Sequence, residues 1–169
     1  MKYHKTVNAI LTLLKAHSFW FETFEHEPVR TSYEAHRVRN QHYTLEQGAK
    51  ALIIRVKKSS LDPYFVMIVV SGSDKFDGKI VKKLLGARDI RFARVVEVAR
   101  ITQGIEPGGI PPFGNLFGLP VFADPALLLN EKIIFNAGDR RFSIGMKSED
   151  YVSLVKPYVE SIVQQTQKN

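Results

Sequence analysis

The sequence predicts an α+β fold: a single domain in which a curved, barrel-like mixed β-sheet is flanked by helices. Three observations point there. About seven apolar, β-branched stretches of strand length are mixed with about five of helical period. The two kinds do not alternate as βαβ units would. No repeat, composition break or linker divides the 169 residues, so one core spans 1–169, with 164–169 expected as a frayed tail.

The elements follow in order. Val7, Ile10, Leu11 and Leu14 share one face of an amphipathic helix. Phe19 to Phe24 is an aromatic-rich strand that Pro28 stops. Thr31 with Glu34, and Thr44 with Gln47, have capping-box spacing and start two short helices. The basic stretch from His36 to Asn40 lies between them. Ala49–Val56 and Tyr64–Ser71 are two buried neighbouring strands, joined by a polar turn through Lys57, Lys58, Ser60 and Pro63. Asp77 caps a helix that runs through Leu85 to Gly86, with Ile80, Val81, Leu84 and Leu85 inward. A short strand over Arg91–Ala93 precedes a helix carrying Val95, Val98, Ala99 and Thr102. Pro120–Ala123, Lys132–Asn136 and Arg141–Met146 are strands, with a tight turn at Ala137–Arg140. Ser148 caps a last helix with Tyr151, Val152, Val155 and Val159 inward, which Pro157 kinks or splits.

Composition removes several function classes. There is no Cys, which excludes thiol nucleophiles, disulfides and thiolate metal sites. The N-terminus lacks the features of a signal peptide, and no run approaches the ~20 apolar residues of a membrane span. The expected location is therefore cytoplasmic, with no membrane partner. Lys plus Arg number 24 against 17 Asp plus Glu, a net charge of +7. That balance fits a polyanionic partner such as nucleic acid and equally fits solubility alone.

The five His form no HExxH motif or carboxylate–His cluster, so no metal and no cofactor is expected. There is no GxSxG and no P-loop. Two features remain. Lys50 sits inside an apolar strand and shares a face with Leu52 and Ile54. It is either a snorkelling edge-strand lysine or a cation used in a cleft. From Gly104 to Pro120, five Gly and four Pro fall within seventeen residues interleaved with apolar side chains. Such a segment is an ordered loop, either a rigid surface turn with an apolar plug or a site where backbone N–H groups approach a ligand.

Glu25-His26-Glu27-Pro28, Thr31, Gln47-Gly48-Ala49-Lys50-Ala51-Leu52, Gly108-Gly109-Ile110-Pro111-Pro112-Phe113-Gly114, Gly118 to Phe122 and Phe135 to Gly138 occur in that order. This pattern resembles the YbaK/ProX family, the aminoacyl-tRNA editing domain that is also inserted in bacterial prolyl-tRNA synthetases. The likeness runs from about residue 4 to about residue 160. It implies a hydrolase acting on the ester of a mischarged tRNA, of the Cys- or Ala-tRNA(Pro) type, and the lack of a metal motif makes that hydrolase metal-independent by expectation. Mischarged tRNA is the implied partner, with prolyl-tRNA synthetase a second.

The resemblance implies catalytic roles for Lys50, Gly108 and Gly109. It implies a substrate pocket at Phe24, Tyr33, Pro112, Asn136 and Ser143, where some relatives carry Asp at the Ser143 position; the apolar Ile110 and Phe113 of the same loop are expected to limit the pocket's size. The residues agree with that chemistry. Lys50 can place a cation near the carbonyl or the terminal phosphate, and the Gly108 and Gly109 N–H groups can donate to the carbonyl oxygen. Water or a group of the substrate would attack. Arg37, Arg39, Lys57, Lys58, Lys79, Lys82 and Lys83 are candidates to hold acceptor-stem phosphates. The alternative is a non-catalytic module of the same fold that binds tRNA or a synthetase.

Overall fold

The computed structural model describes residues 2–39, 42–59 and 62–165; Asn40 of the basic stretch, Ser60 of the polar turn and 166–169 of the tail lie outside the described residues. Helix α1 (Lys5–Ala16) starts where the His4 ring accepts from the Thr6 N–H, and it buries Val7, Ile10 and Leu14 as its apolar period requires. Strand β1 (Phe21–Glu25) and helix α2 (Ser32–Val38) follow, α2 capped by Thr31 as expected. The Thr44–Gln47 box starts only a 3-10 turn, Leu45–Gln47. Strands β2 (Ala49–Lys57) and β3 (Tyr64–Ser71) pair antiparallel, with Lys50 opposite Val70.

Helix α3 (Gly78–Leu84) is capped by Asp77. Its inner face is narrower than expected: Val81 is buried, but Ile80 and Leu84 are 37% and 39% exposed. Strand β4 (Asp89–Phe92), helix α4 (Val95–Thr102), strand β5 (Val121–Ala123) and the short helix α5 (Pro125–Leu128) lead to the hairpin of β6 (Lys132–Asp139) and β7 (Phe142–Lys147). The expected turn at Ala137–Arg140 is instead mostly strand. Gly138, at φ 104°, absorbs an irregularity between Asn136 and Asp139, so β6 runs on to Asp139. Helix α6 (Ser148–Val155) ends on Lys156 in the left-handed region. Pro157 therefore neither kinks nor splits it, and Val159 belongs to strand β8 (Tyr158–Val159) on the surface.

The strands form two sheets, β1-β7-β6 and β4-β2-β3-β5-β8. Among the described residues they meet at a single parallel bridge, Gly48 to Ile134, and do not close into a barrel. The main core fills the space between them and takes in Ile53, Phe113, Phe135, Ile144 and Tyr151. A second core, with Ile54, Val56, Ile68, Val70 and Val81, covers the other face of the larger sheet. Alternation along β2 thus sends Ala49, Ala51 and Ile53 to one core and Leu52, Ile54 and Val56 to the other. The C-terminal segment is pinned. Asp124, 2% exposed, accepts from the Ile162 N–H, and the Gln164 N–H donates to the Lys75 carbonyl. Gln164 is thus held, against the frayed end expected there. No helix among the described residues is long and apolar enough to cross a membrane.

Candidate active site

A cavity of about 480 Å³ opens beside the Gly48–Ile134 bridge, where the two sheets diverge. The start of β2 forms one wall, α2 another, and the Gly108–Ile110 loop with Asn136 of β6 a third. Lys50, Gly108, Tyr33, Ile110 and Asn136, five of the residues expected at a site, line it together.

Lys50 stands at the end of the β2 face that Leu52, Ile54 and Val56 continue into the second core. Its ammonium donates to the Asp74 carbonyl at 2.8 Å, and the side chain is half-buried. Burial lowers its pKa from the ordinary lysine value, and Asp74 partly offsets this. A lysine ammonium has three donors, so two remain for a ligand.

The glycine loop is held from several sides. Gly108 has φ 87°, and a Cβ there would come within 3.0 Å of the Arg30 backbone. Its carbonyl accepts from Asn136 Nδ2 at 2.7 Å. The Gly109 N–H donates to the Glu106 carbonyl at 2.9 Å, and the Gly109 carbonyl accepts from the Gly138 N–H at 2.8 Å. This corrects the expected donor pair. Gly109 is buried in a turn that consumes its N–H, whereas the Gly108 N–H makes no hydrogen bond among the described residues.

Asn136 is fixed in one orientation. Its Oδ1 accepts from Arg39 Nη2 at 3.1 Å and lies 3.0 Å from Ser143 Oγ, so Nδ2 is left to hold the loop. Ser143, fully buried opposite Asn136 on β7, sits beneath the cavity and does not line it. Its Oγ also lies 2.7 Å from His26 Nε2 and accepts from Arg39 Nε at 3.0 Å. The His26 Nδ1 faces the Glu27 carbonyl at 2.9 Å, which requires a hydrogen on Nδ1. Burial keeps the His26 pKa below the ordinary histidine value, and the nearby Arg39 charge acts in the same direction.

Three other expected pocket residues lie elsewhere. Phe113 is fully buried in the main core, with ring centroids 5.4 Å from Phe135 and 5.6 Å from Tyr151. Pro112 is buried beside it, and its carbonyl accepts from the Tyr151 hydroxyl at 2.7 Å. Phe24 packs against His42 and Tyr43, outside the lining. The expected phosphate-binding cations are not one patch. Arg37 is exposed on α2 near the cavity, while Arg39 is buried in the cavity wall. Lys57 is at the far end of β2 from Lys50, about 23 Å away at ~3.3 Å per residue. Lys58 follows it, and Lys79, Lys82 and Lys83 lie exposed on α3.

Sequence reasoning missed Arg30, Ser32, His36 and Thr44, which also line the cavity. The two capping boxes were the available signal, since both helix starts reach its rim. Among the described residues the charged ones lining the cavity are Arg30, Arg39 and Lys50, and no Asp or Glu lines it. No group of three His, Asp or Glu among the described residues could hold a metal ion.

Residues 26–154 match the aminoacyl-tRNA editing domain family. The chain belongs to that family. Among editing-domain relatives, it is 29% identical over 153 residues to the multifunctional Ser/Thr-tRNA deacylase ProXp-y of Escherichia coli, covering 90% of this chain and 89% of that protein. It is 41% identical over 66 residues to the proline–tRNA ligase of Bacillus licheniformis, covering 39% of this chain and 11% of the ligase. A crystal structure of a protein proposed as a trans-editing enzyme for prolyl-tRNA synthetase shares the fold. Its TM-score is 0.79 at 22% identity, over 97% of this chain and 100% of that one. As an editing domain, the chain serves the fidelity of translation.

Asn136→Ala checks the support given to the loop. Losing the hold on the Gly108 carbonyl should lower kcat/KM about tenfold, and the lost hydrogen bonds should cost about 1–2 kcal/mol of stability. Deacylation kinetics beside urea unfolding separate the two effects.

Proposed function

We propose that this protein is a free-standing trans-editing deacylase that hydrolyses the ester between a small amino acid and the 3′ end of a mischarged tRNA. The observation that carries the reading is that Lys50 and Gly108, whose N–H makes no hydrogen bond among the described residues, line one cavity with no carboxylate among the described residues of its lining. An ester carbonyl bound between them would develop its negative charge against a cation and a backbone donor. Water then attacks the carbonyl carbon, and the tetrahedral intermediate collapses with the ribose oxygen leaving as a hydroxyl that takes up the proton the water gives up. Esters need less assistance than amides, so the chemistry proceeds without a side-chain nucleophile and without a metal. The setting is the cytoplasm, on tRNA that a synthetase such as the prolyl enzyme has mischarged.

Cys- and Ala-tRNA(Pro) are the substrate types the family pattern implies, and the Escherichia coli relative is a Ser/Thr-tRNA deacylase. The cavity favours the second type. Thr31, Ser32, Thr44 and Asn136 give it polar walls suited to a side-chain hydroxyl, while Tyr33 and Ile110 limit its size. One methylene changes binding by only ~1–3 kcal/mol, so neighbouring small amino acids should be released more slowly and not refused.

A panel of Ser-, Thr-, Ala-, Cys- and Pro-charged tRNAs tests this. Release should be fastest from Ser- or Thr-tRNA, should decline steeply with salt and should survive EDTA. Strong inhibition by chelator would point to a metal. Binding of tRNA with no release from any member would leave a non-catalytic module of the same fold.

A further inference from the structure

Arg39 is an unusual wall residue. It caps the C-terminal end of α2 and is 6% exposed. Its guanidinium donates from Nε to Ser143 and from Nη2 to Asn136, both neutral acceptors. Among the described residues no carboxylate pairs with it; the ion pairs there are Arg91–Glu97, Arg140–Glu106 and Arg141–Asp139. Burial pulls its pKa down to about 10, which leaves it cationic at neutral pH.

Five N–H groups radiate from a guanidinium, and two are used here. No buried side-chain nitrogen or oxygen among the described residues lacks a partner. Nη1 has none, so it is not enclosed by protein. Arg39 itself lines the cavity. A nearly buried cation without a counter-ion is unfavourable until an anion arrives. The neighbouring charges on the cavity wall, Arg30 and Lys50, have the same sign, so none of the described residues in the lining supplies that anion.

We infer that the free edge of Arg39 is a phosphate-binding site inside the cavity, and that it holds the phosphodiester of the terminal nucleotide of the RNA 3′ end. The inference rests on the deacylase reading and deepens it. In an aminoacyl ester the amino acid's carboxylate is tied up in the ester bond, and its amino group is a cation. The anion nearest the scissile bond is therefore the terminal phosphodiester. Two adjacent N–H groups on a planar fork match two phosphate oxygens. Arg39 thereby acts as a positioning residue: a phosphate fixed at one end of the cavity sets where the ester falls relative to Lys50. The other source of an anion is the carboxylate of the released amino acid, which the experiment separates.

Adenosine 5′-phosphate, adenosine and free serine are titrated into wild type, Arg39→Gln and Arg39→Lys, with binding read by calorimetry and folding by thermal unfolding. Wild type should bind adenosine 5′-phosphate at least about tenfold more tightly than adenosine. Arg39→Gln should bind the two alike, and Arg39→Lys should keep part of the preference. An unchanged preference in Arg39→Gln overturns the site. Loss confined to serine binding also overturns it, in favour of a carboxylate site. A second measurement needs only the wild-type protein: the Arg39 Nε–H resonance should shift with adenosine 5′-phosphate and not with adenosine, and equal responses overturn the site. These readouts require no turnover. An Arg39-dependent phosphate preference in a protein that deacylates nothing would retain the site and reject the deacylase reading.

Discussion

Lys50→Ala is expected to fold and to lose release of amino acid from charged tRNA by about 10²–10³-fold, the range seen when one group that stabilises an oxyanion is removed. The fold should tolerate the change. The ammonium makes one hydrogen bond, to the Asp74 carbonyl, from a half-buried position. Its loss should cost about 0.5–1.5 kcal/mol. Lys50→Met is the companion variant, since it keeps the apolar stem beside Leu52 and removes only the charge. Both variants should fail alike in single-turnover assays while unfolding near the wild-type temperature. Arginine should restore little, because its planar fork cannot place a point charge at the same spot. Full activity in Lys50→Ala would remove the lysine from the mechanism.

Phe113→Ala should behave in the opposite way. The ring is fully buried between Phe135 and Tyr151, so its removal leaves a void in the main core and should cost about 3–5 kcal/mol. For a chain of this size that is a fall in Tm on the order of 10 °C. Below the transition, the protein that remains folded should deacylate within a few-fold of wild type and with the same preference among amino acids. A wider substrate range at unchanged stability would show Phe113 to be a pocket wall after all. Scanning calorimetry and the charged-tRNA panel on the same preparation decide between them.

The contrast between these two residues shows what was readable in the chain. Lys50 was legible because a charge within an apolar strand has to be explained, and period-two alternation fixed its face. Strand β3 was bounded at Tyr64 and Ser71 by its apolar run alone. Phe113 and Ile110 stand three residues apart in an irregular loop, where no period tells which side chain turns inward, and only Ile110 reaches the cavity. Arg39 read as a surface cation because its partners, Asn136 and Ser143, lie about a hundred residues away and come near only when β6 and β7 pair. Strand β8 gave no signal, being two exposed residues whose place is set by parallel pairing with β5 and by the nearby Asp124–Ile162 bond. Gly138 was noticed, but a glycine that serves a strand irregularity reads the same as one that serves a turn.

The fastenings of the glycine loop have a kinetic consequence. Asn136 holds one carbonyl, Gly138 the next, Tyr151 a third, and Arg140 pairs with Glu106 behind them. The chain entropy of that wall is surrendered when the protein folds, not when substrate arrives. A wall so restrained selects by shape at first contact. On the deacylase reading, substrate capture should then involve no slow closing of the loop, and an oversized acyl group should be turned away by collision, without a rearrangement to sense it.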